Sequence, residues 1–152
     1  MSEPSNVVGP VTCTHRLLID ELCNNAHIFY MKGDLSFRVN EARKYKEDAH
    51  RLHAGSGSEV IYYVPKPVKQ CRIYGFSTED TTHLQLAVSE NGRNFMKMEP
   101  EFKNISTGSG EYDYLFPVYY AIRIPEYKFH YIQIKIKTSI ALSRVEIIYG
   151  GK

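Results

Sequence analysis

Apolar and polar residues alternate with a period of two through much of this chain. In His83-Leu-Gln-Leu-Ala-Val-Ser89, Leu84, Leu86 and Val88 are set against Gln85 and Ala87, the pattern of a strand with one buried face. Glu90-Asn91-Gly92 follows, and Asn-Gly suits a hairpin turn because both residues tolerate positive φ; Phe95, Met96 and Met98 then begin a returning strand. Residues 130–137 repeat the alternation, with Ile132, Ile134 and Ile136 predicted inward and Gln133, Lys135 and Lys137 outward. Further strands are expected over 26–31, closed by Lys32-Gly33-Asp34, and over 35–39, 60–64, 70–76, 119–124 and 144–149. Pro65-Lys66-Pro67 and Pro125 end two of them, since proline cannot continue a central strand. Residues 16–22 fit a short helix or a strand equally well.

The remaining stretches are polar and lack a period. Residues 1–14 read as a flexible leader to a single domain over 15–150. Residues 40–57 read as a long functional or metal-holding loop with at most one helical turn near 41–46, and 77–82 and 101–113 as further loops. Many short strands, regular turn signals and almost no helix predict an all-β fold, an antiparallel β-sandwich.

Composition narrows the function classes. At 152 residues the chain suits one domain with a sizeable core, and its 43% hydrophobic and 24% charged residues are ordinary for a soluble protein. A net charge of +2, with basic residues dispersed along the chain, argues against nucleic acid or an anionic membrane as partner. No apolar run approaches the roughly 18–20 residues of a membrane span. Met1-Ser-Glu-Pro-Ser-Asn-Val-Val-Gly-Pro10 lacks the basic start and apolar core of a signal peptide, which leaves either a cytosolic protein or a module of a longer, extracellular or cell-surface chain. Cys13, Cys23 and Cys71 have no Cys-x-x-Cys spacing, which argues against zinc; thiols are favoured over a Cys13–Cys23 bridge.

Four stretches, in order, resemble a known family. Leu18-Ile-Asp-Glu-Leu22 looks like the Leu-Ile-Asp-Asp opening of modules attached to polysaccharide-degrading enzymes. Tyr45-Lys-Glu-Asp-Ala-His-Arg-Leu52 followed by Val60-Ile-Tyr-Tyr63 resembles their Gly-Asp-x-x-Arg-Leu loop and Ile-x-Tyr strand. Val88-Ser-Glu-Asn-Gly-Arg-Asn-Phe95 is similar to their Val-Ser-x-Asp-Gly-x-x-Tyr/Trp hairpin, and Tyr131-Ile-Gln-Ile134 with Val145-Glu-Ile-Ile-Tyr149 to their closing strands. Together these resemble a carbohydrate-binding module with a galactose-binding-like jelly roll, a superfamily that includes the discoidin (factor V/VIII type C) domains. The chain departs from the pattern in having no Trp, the residue such modules often use as a sugar platform.

The resemblance implies a polysaccharide or oligosaccharide partner, a larger multidomain parent and a structural calcium ion held by Asp48 and Glu146, with Asp20 or Glu21 approaching it; calcium takes several oxygen ligands. An ion pair of Asp48 with Arg51, or a loop turn, is the simpler alternative. A sugar needs a flat apolar face and fixed hydrogen-bonding groups. Without Trp, tyrosine has to supply the face, so the candidate ligand-binding residues are Tyr112 and Tyr114 in a Gly-rich loop and Tyr45, His50, Arg51 and His53 in the other long loop. The same tyrosines would also suit capping the core with hydroxyls in water. A polar sheet face carrying Gln85, Arg123, Gln133 and Lys135 is a second platform, although a plain solvated face has the same pattern.

Catalytic signals are missing. The six His include no His-Glu-x-x-His, and His50-x-x-His53 has no third ligand beside it. No Gly-x-Ser-x-Gly, phosphate loop or dinucleotide fingerprint occurs. Glu111 and Asp113 are paired carboxylates on one loop, where alternate residues usually face water. The expected function is non-catalytic glycan binding, with a structural or protein-binding sandwich as the alternative.

Overall fold

The computed structural model describes residues 15–38, 51–77, 84–104 and 116–150. These form strands β1 (His15–Asp20), β2 (Tyr30–Lys32), β3 (Leu35–Arg38), β4 (Arg51–Ala54), β5 (Glu59–Tyr63), β6 (Val68–Ser77), β7 (Leu84–Ser89), β8 (Met96–Met98), β9 (Glu101–Asn104), β10 (Phe116–Arg123), β11 (Tyr131–Ile136) and β12 (Ile140–Gly150). A seven-stranded sheet runs β9-β10-β6-β12-β4-β3, with β1 also paired to β12, and a five-stranded sheet runs β2-β5-β11-β7-β8. Every pairing is antiparallel, and the chain crosses repeatedly between the sheets, giving a jelly-roll β-sandwich.

The alternation dictates this arrangement. Val60, Tyr62, Leu84, Leu86, Val88, Ile132, Ile134 and Ile136 cover the inner face of the small sheet. They meet Ile73, Val118, Tyr120, Ile122, Val145 and Ile147 of the large sheet in one core. Each fully buried aliphatic side chain contributes about 1.5–3 kcal/mol to that contact. The long β12 serves two partners on one side: Ile140–Leu142 pairs with β4, a bulge follows between Leu142 and Arg144, and Val145–Gly150 then pairs with β1. That pairing makes residues 16–20 strand, with Glu21 and Leu22 beyond its end, Leu18 packed on the core and Leu17 and Ile19 outside.

Several expected boundaries shift, each for a local reason. Of residues 26–31 only the end joins a sheet. Asn24 Oδ1 accepts from Ala26 N (2.9 Å) and Asn25 O from Ile28 N (3.1 Å), so turn bonds replace ladder bonds before β2. Residues 51–54, expected as loop, are strand β4, because Leu52 and Ala54 reach the core opposite Leu142 and Ile140. Residues 101–104, also expected as loop, are strand β9, held by Phe102 against Tyr120 with ring centroids 4.9 Å apart. Asn91-Gly92 is not a two-residue turn: only Gly92 has positive φ (81°), and residues 90–95 form a longer loop. Residues 1–14, expected as leader, and 78–82, expected as loop, lie outside the described residues.

Two titratable groups are enclosed in the core. Burial, and next the charge of Glu146, push the Cys71 thiol from 9.0 up to about 12. Burial, then the charge of Asp20, push the Tyr62 hydroxyl well above its ordinary range. Both raised values mean that the unfolded chain gives up these protons first. The stabilisation from Cys71 is therefore complete below the ordinary thiol range near 9 and is lost as pH rises toward 12, and that from Tyr62 is lost only above its ordinary range. Urea unfolding between pH 9.5 and 11 is expected to show stability falling more steeply in the native chain than in Cys71→Ala, by about 1.4 kcal/mol per pH unit. Equal slopes would mean that the buried thiol does not contribute.

Candidate functional site

Strict alternation puts one set of residues on the outer face of the small sheet, and at one end of it they are aromatic. Tyr63 lies opposite Tyr131 across the β5–β11 pair, and Tyr30 lies opposite Ile61 on the next strand. Phe29, just before β2, hangs over them after its N–H bonds Ile61 O (2.9 Å). The Phe29 ring meets Tyr131 edge-on at 5.4 Å and 72°, and Tyr63 at 6.1 Å; Tyr63 meets Tyr131 at 5.1 Å and lies nearly parallel to His130 at 6.2 Å and 21°. These rings brace one another without being buried: Phe29 is 60% exposed, Tyr30 45% and Tyr63 43%. Most large apolar side chains elsewhere on the strands go into the core, so a solvent-facing aromatic cluster of this size stands out on the surface.

Fixed polar groups surround the rings. His130 Nδ1 lies 3.0 Å from Val64 O, and a carbonyl only accepts, so Nδ1 carries the hydrogen and Nε2 is left as an acceptor in the neutral ring. On the other side, Ser89 Oγ accepts from Gly92 N (2.9 Å) and Asn91 N (3.2 Å), and Asn91 Oδ1 accepts from Arg93 N (2.8 Å) and Asn94 N (3.0 Å). This cap presses the loop against Tyr131: a Cβ on Gly92 would sit 3.0 Å from the ring, and the φ of 81° already demands glycine. Lys128 and Glu90 pair at 3.3 Å on the rim. The result is an aromatic platform with phenolic hydroxyls and an imidazole acceptor at its edge.

Of the binding and metal residues singled out from sequence, Arg51, His53 and Glu146 lie away from this face. Tyr45, Asp48, His50, Tyr112 and Tyr114 lie outside the described residues. Arg51 is only 1% exposed and holds its guanidinium over the Phe76 ring, 4.7 Å from the centroid, on the outer side of the large sheet. His53 sits on β4 between Ser36 and Ala141. The polar platform divides between the sheets: Gln85, Gln133 and Lys135 lie on the small sheet and Arg123 on the large one. Gln133, expected to face water, is nearly buried and donates to Glu59 (2.7 Å).

Glu146 does not fit a calcium ligand. Arg144 Nε donates to one carboxylate oxygen at 2.7 Å and Arg72 Nε lies 3.4 Å from the other, so an incoming cation would have to displace two guanidinium groups. Asp20 gives its oxygens to Leu22 N (2.8 Å) and Tyr62 OH (2.7 Å), and Glu21 faces Arg144 at 3.4 Å. Among the described residues no three His, Cys, Asp or Glu come together.

Loop position does not mark this face, whose Tyr63 and Tyr131 lie on β5 and β11. The available signal was phase: Tyr63 and Tyr131 occupy outward positions in strands whose inward positions are Val60, Tyr62 and Ile132, Ile134, Ile136.

No protein-family model matches the chain, and no curated protein matches it. Among solved structures it is similar to the C-terminal CBM6 of LamC, a marine laminarinase from Zobellia galactanivorans, at 9% identity and a TM-score of 0.48, covering 87% of this chain and 98% of that one. It is similar to part of BtGH115A, a family GH115 4-O-methyl-α-glucuronidase with specificity for decorated arabinogalactans, at 14% identity and a TM-score of 0.46, covering 99% of this chain and 20% of that one. A third likeness is to the catalytic unit of a GH87 α-1,3-glucanase from Streptomyces thermodiastaticus strain HF3-3, at 11% identity and a TM-score of 0.43, covering 91% and 26%. Identities of this order transfer neither ligand nor activity, which have to come from the residues of this chain itself.

Proposed function

We propose that this sandwich is a non-catalytic carbohydrate-binding domain that holds a glycan against Phe29, Tyr63 and Tyr131, tethering an attached enzyme or cell-surface protein to polysaccharide outside the cell. The observation that carries this reading is the exposed, mutually braced aromatic cluster on the outer face of the small sheet. Aromatic faces attract the C–H side of a pyranose, and the phenolic hydroxyls with His130 Nε2 supply donors and acceptors for its hydroxyls. The surface is open, so it suits a chain passing across it. Tyr45, His50, Tyr112 and Tyr114 are proposed as further contacts to the same glycan.

Affinity electrophoresis over a panel of neutral plant and microbial polysaccharides tests the proposal. Retardation by at least one polysaccharide is expected, with no release of reducing ends on prolonged incubation. Unretarded migration in every gel would contradict glycan binding and favour a protein partner for the same face; product formation would contradict the non-catalytic part.

A further inference from the structure

The outer face of the other, seven-stranded sheet carries a feature that the aromatic platform does not use. Where β6 begins and β10 ends beside β12, an open groove of about 610 Å³ runs over Ile124, Pro125 and Ile148. That volume lies in the range of small-molecule sites, roughly 300–1,000 Å³. Tyr127 forms one wall and is 50% exposed, and the Lys69 ammonium lies 4.4 Å from its ring centroid. Arg123 also lines the groove and is exposed. No ion pair or hydrogen bond engages the Arg123 side chain among the described residues, so its guanidinium keeps its donors for solvent or ligand. Glu126, the acid in the neighbouring turn, is directed to Lys128 at 3.9 Å.

A planar guanidinium with open donors matches a carboxylate bidentately, a second cation beside it adds field, and a half-exposed tyrosine over an apolar floor suits a ring. We propose that this groove is a second ligand site that takes the acidic unit of a glycan, a sugar ring bearing a carboxylate, with Arg123 binding the anion and Tyr127 packing on the ring. The sugar half of the inference rests on the carbohydrate-binding reading above; the anion half rests on the groove alone. With one site on each sheet, the domain would hold a neutral stretch and an acidic stretch on opposite faces.

Amide NMR on the full chain, titrated separately with sodium glucuronate, glucose and sodium acetate, tests this. Glucuronate is expected to shift the amides of Lys69, Gln70, Arg123 and Tyr127, binding about five-fold or more tighter than glucose or acetate and weakening as salt rises. Arg123→Ala is expected to lose most of that affinity and Arg123→Lys to retain part of it, both with unchanged amide dispersion because the side chain is exposed. Unmoved groove amides, an unaltered Arg123→Ala affinity, or glucose or acetate binding as well as glucuronate would each overturn the proposal. The two sites fail separately: Arg123→Ala leaves neutral-glycan shifts at Tyr63 and Tyr131 intact, and loss of those shifts alone would count against the aromatic face.

Discussion

Asp20→Ala is expected to lower the free energy of unfolding by about 2–4 kcal/mol, because it leaves two buried donors without an acceptor. Asp20 is 2% exposed, and its two oxygens accept from Leu22 N at 2.8 Å and Tyr62 OH at 2.7 Å. The first bond also holds Leu22 in the left-handed region at φ 59°, a conformation that costs a branched residue about 1–3 kcal/mol and persists only when its surroundings fix it. Leu22 is nonetheless fully inside the core, so releasing the turn also loosens a buried side chain. The desolvation relieved by removing a buried carboxylate offsets part of the loss, which is why the expected range stops near 4 kcal/mol. Asp20→Asn keeps one acceptor oxygen and is expected to lose less, and Tyr62→Phe less again. Urea denaturation of the three variants and the Asp20→Ala/Tyr62→Phe double variant measures the coupling. Additive effects would show that the pair does not act together.

Replacing Phe29 and Tyr63 together by alanine is expected to weaken glycan binding by 30-fold or more, about 2 kcal/mol, the size of loss seen when central aromatic anchors are removed. Each single substitution is expected to weaken binding roughly ten-fold. The two are not expected to add, since the rings touch each other at 6.1 Å and both brace Tyr131. Stability is expected to fall by only about 1 kcal/mol, the worth of the ring contacts, because neither side chain reaches the core. Calorimetry with the polysaccharide that retards the native chain most separates the two effects. A double variant that melts normally yet binds as before would show that the platform lies elsewhere.

The fold was legible because its inner faces obey the pleat. Ile132, Ile134 and Ile136 and Leu84, Leu86 and Val88 announce their strands and their inward direction from sequence alone. Strands with one or two apolar anchors stayed hidden: Leu52 and Ala54 sit in a polar segment, and Phe102 is a lone aromatic among charges, so only their partners Leu142 and Tyr120 reveal them. The resemblance to carbohydrate-binding modules suggests the ligand class, whereas nothing in its motifs marks Phe29, Tyr63 and Tyr131 as one aromatic platform. Tyr63 and Tyr131 are separated by a long stretch of chain and meet only because β5 and β11 pair, a contact that no local pattern encodes. Likewise Glu146 looked available for calcium until β6 brought Arg72 beside it.

Amide NMR of the native chain with a short oligosaccharide of the best-retarding polysaccharide tests the central claim most directly, since it locates the sugar. The account predicts that the largest shifts fall on residues 29–30, 63, 89–92 and 130–131, and that they vanish in the Phe29→Ala/Tyr63→Ala variant. Shifts confined to residues 45–53 and 111–114, unchanged in that variant, would contradict it and return the site to the loops.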